Sequence, residues 1–128
     1  MGARALVRAV TAVAGAVATA AGLHSALAGV RSVPGRPRAG TEVDSELRYY
    51  GAFYSAYGLA LLRVAPRAEE ETVALRSLAG VMFAGGLARA RGWAANGRPH
   101  PVQLALLTLE LGVPPVLVAA QSRAATVG

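Results

Sequence analysis

The sequence predicts an all-α integral membrane protein, a four-helix bundle with both termini on the same side of the bilayer. Three observations predict it. Hydrophobic residues make up 54% of the 128 positions and charged residues only 16%, against about 25% charged in an ordinary soluble domain. The apolar residues come in long runs: Ala9 to Val30 contains no charge, whereas a surface helix of a soluble protein shows a polar face at a 3.6-residue period. Four such runs are separated by short stretches rich in proline, glycine and charge. The alternation a β-barrel requires is absent, and a soluble helical bundle is the structural alternative.

The chain reads as one four-span domain over residues 1–128. The first span covers about 6–29, "LVRAVTAVAGAVATAAGLHSALAG", long enough at 1.5 Å per residue to cross the hydrocarbon core. Arg4 and Arg8 ahead of a small-residue run also fit a signal peptide with a cleavage site at Ala18–Ala20, but the three apolar segments that follow favour a first span. Gly15, Ala18, Gly22 and Ala26 place small residues at helical spacing, which suits close helix contact in lipid. A surface loop follows at about 31–44, broken by Pro34, Gly35, Pro37 and Gly40.

The second span covers about 45–65, with Asp44 or Ser45 as its cap and Glu46 in its first turn. Tyrosines at 49, 50, 54 and 57 crowd its first half, so its purely apolar part is short. After "PRAEEET" the third span covers about 73–89 and reads as the weakest by hydropathy. Gly85-Gly86 lowers its helix propensity but permits tight packing or a kink. Trp93, in the connection Arg91–His100, suits the interfacial belt. The fourth span covers about 101–120, interrupted by Glu110 and by Pro114-Pro115, and the last eight residues read as a tail. Four crossings leave six arginines on the terminal side (4, 8, 63, 67, 76, 123) against seven on the other, too even a split for positive charge to set the orientation.

The formal net charge of +6 comes wholly from arginine, and lysine is absent. Scattered arginines at the ends of apolar runs fit snorkelling to headgroups rather than nucleic-acid binding, so no nucleic-acid partner is expected. The absence of cysteine excludes thiolate chemistry, iron–sulfur clusters and disulfides, and two histidines are too few for an all-histidine zinc site. No phosphate loop, metal motif or serine triad is present. No cofactor or metal is therefore expected.

Four crossings would gather His24, Asp44, Glu46, Arg48, Arg89 and Arg91 toward one face. Glu110 lies deeper, about 16 Å along the helix from Pro99. A carboxylate there is costly, about 2.5–3.5 kcal/mol on lenient insertion scales, so it should face the interior and find a partner, with Arg48 and Arg89 the natural candidates. One outcome is a structural ion pair locking two helices. The other is a proton-handling or ligand-binding carboxylate. Glu46, Tyr50, Tyr54 and Tyr57, spaced 4, 4 and 3 apart, share one face of the second span, either a hydroxyl-lined pocket wall or interhelix packing. Arg48 and Arg89 could hold an anionic head group. His24 could relay protons or, more remotely, ligate haem.

The stretch "DSELRYYGAFYSAYG", with Asp44, Glu46, Arg48, Tyr49 and Tyr50, resembles the opening of the second span in small bacterial four-helix membrane proteins of domain-of-unknown-function family 4345. The resemblance extends to "GGLARARG" with Arg89, "GRPHP" at Gly97–Pro101, and "LELGVPP" with Glu110 and Pro114. It is less close around Met82–Gly86. It covers nearly the whole chain and implies a four-span fold, and the family's description assigns no activity.

Two kinds of function are expected. One is a cofactor-independent acid/base enzyme of isomerase, epoxide-opening or cyclase type, acting in biosynthesis on a small lipophilic substrate in the cell membrane. Glu110, Glu46 and Tyr54 would be its catalytic groups, and Arg48, Arg89, Tyr50, Tyr57 and His24 would bind substrate. The other is a small transporter component or a structural membrane protein. A carrier of this size would need a homodimer, for which the small-residue face of the first span is the natural contact. Membrane lipid is the expected surrounding in either case.

Overall fold

A computed structural model describes residues 2–127, Val127 in its backbone alone. Its elements are α1 (Ala3–Ala28), a 3-10 turn (Gly29–Ser32), α2 (Thr41–Val64), a second 3-10 turn (Ala65–Arg67), α3 (Thr72–Asn96) and α4 (Pro101–Val127). No strand occurs among the described residues. With 24 to 27 residues each, the helices run about 36–40 Å, longer than the ~30 Å hydrocarbon core. The all-α, four-helix expectation holds.

Several boundaries differ from those read off the sequence. Helix α3 continues to Asn96 and α4 to Val127, because nothing in "ARGWAAN" or "QSRAATV" breaks a helix. Helix α2 begins at Thr41 behind Gly40, so Asp44 sits in its first turn rather than capping it. Pro114 and Pro115 lie inside a continuous α4, and their missing N–H groups leave the carbonyls of Glu110 and Leu111 without an intrahelical donor. Helices α1, α3 and α4 are long and apolar enough to cross a membrane and α2 is not. The helix least suited to crossing is thus the second rather than the third, since Glu42, Asp44, Glu46 and Arg48 occupy its first two turns.

Many large apolar side chains are exposed: Val73 is 82% exposed and Val13 63%, and Val17, Val81, Leu87, Leu109 and Val116 are also exposed. Meanwhile Glu69 and Gln121 are buried. Many exposed apolar side chains over buried polar groups are the arrangement lipid favours and water does not.

Each helix buries a stripe with 3- and 4-residue steps. On α4 it runs through Gln103, Leu107, Glu110, Pro114, Leu117, Gln121 and Ala124, all buried or half-buried, and on α3 through Leu75, Ala79, Met82, Gly86 and Arg89. This is the spacing of helices packed side by side at a shallow angle. The chain divides into two compact units. In one, α1 up to Val10 groups with the chain from Arg67 onward; the other is Thr11–Pro66.

In the Thr11–Pro66 unit, α1 and α2 are antiparallel and their backbones touch. A Cβ on Gly15 would meet Leu62 Cγ at 2.9 Å and the Gly58 carbonyl at 3.0 Å, and one on Gly51 would meet the Gly22 carbonyl at 2.7 Å. Gly15 and Gly22 thus face Gly58 and Gly51, and glycine is required there by proximity. The small-residue face that could have served a homodimer is taken up by α2 of the same chain. At the end of α1, Gly29 adopts φ +57, the left-handed conformation that stops helices.

In the other unit α3 and α4 form an antiparallel hairpin, Gly86 lying against Leu111 and Glu110. Gly85, its neighbour, has open space around it. The ends of α1 and α4 both reach the connection before α3. Arg8 Nε donates to Glu69 at 2.9 and 3.1 Å, Arg4 Nε lies 3.5 Å from the same carboxylate, and Gln121 Nε2 donates to the Ala68 carbonyl at 3.4 Å. Both termini therefore lie at the same end of this unit, as the sequence predicted.

Candidate functional site

The polar residues on the α3 and α4 stripes meet near the turn that joins these helices. Arg89 Nε donates to Glu110 Oε2 at 2.7 Å and Oε1 at 3.0 Å, and Arg89 Nη1 donates to Gln103 Oε1. Gln103 and Glu110 are seven residues apart, two turns along one face, so one guanidinium on α3 engages both. Glu110 is 13% exposed and Arg89 36%. The Nη2 group of Arg89 has no hydrogen-bond partner among the described residues. With Nε and Nη1 held, its direction is set by the pair behind it.

Beside this cluster is a cleft of about 380 Å³ lined by residues that include Arg89, Gly92, Trp93, Arg98, Gln103 and Leu107. Gly97, at φ +92, ends α3 and donates its N–H to the Trp93 carbonyl, which turns the chain so that Arg98 joins the lining. Pro101 opens α4, where its missing N–H costs nothing, and His100 Nδ1 accepts the Val102 N–H at 3.2 Å. The "GRPHP" motif is thus the turn that closes one side of the cleft. Glu110 stands behind Arg89 and does not line it.

In the Thr11–Pro66 unit Arg48 has a different task. Its Nε donates to Asp44 Oδ2 at 2.7 Å, and its Nη1 donates to the carbonyls of Leu27 at 2.6 Å and Ala26 at 3.4 Å, while Val30 N donates to Asp44 Oδ1 at 2.9 Å. Arg48 and Asp44 together satisfy the exposed end of α1, the cation resting where the helix dipole is negative. The Asp44 carboxyl is held below its usual range, first by the Arg48 hydrogen bond and then by the Val30 N–H. Of the two partners expected for Glu110, Arg89 is the one observed, and Arg48 is a helix cap.

The tyrosine face differs from expectation. The buried stripe of α2 passes through Gly51, Gly58 and Leu61, with Asp44, Arg48 and Tyr54 half-buried along it. Glu46 and Tyr50 lie outside it and are exposed, because the expected spacing drifts from the helix's contact face. Tyr54 and Tyr57 are half-buried, with ring centroids 6.3 Å apart, edge to face. His24 and Arg91 are exposed.

Gln103, Gln121 and Glu69 join these contacts without being among the residues that the sequence singles out. The glutamines could have been found, since they lie seven and eleven residues from Glu110 on its own face. Glu69 carried no such sign within "AEEE". It is buried, and its carboxyl is pulled down to about 2, chiefly by the Arg8 hydrogen bond against the upward push of burial. A carboxyl lowered on folding stabilises the fold above its unfolded value, and that contribution is lost as the pH falls through the folded value. The detergent-solubilised protein should lose thermal stability between about pH 4.5 and 2. Glu69→Gln should flatten that part of the profile, and an unchanged profile would exclude Glu69 as its source. Among the described residues no acidic or histidine cluster could hold a metal ion.

Taken together, these features define a small all-helical membrane protein with a positioned arginine near the turn of a helix hairpin. The chain belongs to the family described as Domain of unknown function (DUF4345), whose model matches residues 6–121. No curated protein and no solved structure matches it.

Proposed function

We propose that the chain is a multi-pass protein of the cell membrane that binds a small lipophilic ligand in the cleft between the ends of α3 and α4. The observation that carries this reading is the coincidence of a 380 Å³ cleft, at the small end of ligand-site volumes, with a guanidinium held from behind by Glu110 and Gln103. Trp93 and Leu107 supply apolar wall, and Trp93 suits the interfacial depth at which a lipophilic molecule would enter. Glu110 was the expected proton carrier of an acid/base enzyme. Its place behind Arg89 favours a role in positioning over contact with a substrate, so Arg89 is the group the geometry offers to a ligand.

Helix α2 would enter the bilayer on the strength of its contact with α1. The glycine positions from 15 to 22 press against it, so the two helices share depth, and its polar first turn reaches the surface with Arg48 capping α1.

Gly92 lines the cleft, and a Cβ there meets nothing within 4 Å. Gly92→Phe should fill the cleft without disturbing the hairpin and should abolish co-purification of small molecules extracted from the wild type in mild detergent. Equal recovery from both proteins would refute the site. Because the chain has no cysteine, single cysteines report topology cleanly. Replacements at Gly2, Glu70 and Thr126 should react with impermeant maleimide from one side, and at Arg36 and Arg98 from the other. Reaction of all five from a single side would refute the crossings.

A further inference from the structure

We infer that the cleft takes an anionic amphiphile: a molecule with one carboxylate or phosphate-ester group and an apolar body. This deepens the ligand-binding reading and rests on it. The lining carries two guanidiniums, Arg89 and Arg98, and no carboxylate. Glu110, paired through both oxygens with Arg89 Nε, balances one of those charges from outside the cleft. One positive charge is left uncompensated, and it belongs to Arg98, which is exposed and makes no hydrogen bond or ion pair among the described residues.

The two arginines would divide the work. Arg89 supplies direction, because Nε and Nη1 are committed and Nη2 remains to donate. Arg98 supplies attraction, standing on the turn after Gly97 where its stem can follow an incoming head group. A neutral ligand would leave the charge of Arg98 unbalanced, and a free small anion would leave the Trp93 and Leu107 walls uncovered. An anion attached to an apolar chain satisfies both halves of the site.

Trp93 is the single tryptophan and lines the cleft, so its fluorescence reports occupancy directly in the full-length protein in detergent. Dodecanoate and dodecyl phosphate should change the Trp93 emission saturably, dodecanol at least tenfold less tightly, and inorganic phosphate only at far higher concentration. Arg98→Gln should weaken both amphiphilic anions about tenfold while leaving dodecanol unchanged. Dodecanol binding as tightly as dodecanoate would overturn the anion inference and leave the lipophilic site standing. Inorganic phosphate binding as tightly as dodecyl phosphate would overturn the amphiphile. A failure of every alkyl probe, with Gly92→Phe indistinguishable from wild type, would overturn the ligand site itself.

Discussion

Glu110→Leu should destabilise the solubilised protein by about 2 kcal/mol, measured by unfolding in a graded anionic detergent series. The value falls below the ~3–5 kcal/mol of a fully buried pair because Arg89 remains 36% exposed and can draw on solvent or headgroups. Most of the loss comes from the cation left behind rather than from the missing attraction. Arg89→Leu combined with Glu110→Leu should therefore recover most of the stability, giving a favourable interaction energy in the double-mutant cycle. Glu110→Gln retains an acceptor for Arg89 Nε and should cost less than the leucine variant. A double variant as unstable as the sum of the single ones would show that Arg89 and Glu110 act independently, against the contact drawn between them.

The second large effect is expected at Gly58. A Cβ at this position would meet the Gly15 carbonyl at 2.7 Å and the backbone of Thr19 closer still. Backbone atoms cannot turn aside as a flexible side-chain tip can, so α1 and α2 would have to separate. Gly58→Leu should cost about 3 kcal/mol, the upper part of the range for overpacking, and should expose the α1–α2 seam to proteolysis. Gly80→Leu is the matched control, since open space surrounds Gly80 and leucine is the better helix former by roughly 0.8 kcal/mol. If both variants melt together, close approach is not what holds this hairpin. The experiment also tests α2 as a span, because a helix whose own apolar run is short depends on its neighbour for its place in lipid.

Much of this protein is legible from its residues one element at a time. Long uncharged runs such as Ala9–Val30 yield helices without tertiary context, because in lipid every backbone group must be satisfied within its own segment. The cost of a carboxylate at membrane depth singled out Glu110 and required a partner for it. The helix ends are less legible. Asp44 looked like a cap for α2 and instead helps close α1, since its carboxylate faces a neighbouring helix that local sequence does not represent. Glu46 and the tyrosines shared an apparent face, but the contact face of α2 follows its glycines.

Local chemistry along the chain is enough to set the all-helical class, the long apolar helices and the half-buried charge in α4, because each follows from the free energy of one segment in lipid. Packing between helices sets which arginine meets Glu110, that Arg48 closes a helix end, that Glu69 is buried, and that Trp93 and Arg98 share a cleft with Arg89. Those outcomes depend on how two helices are set against each other. A shift of one residue in that register turns a side chain about 100° around its axis, which is enough to exchange a partner for lipid.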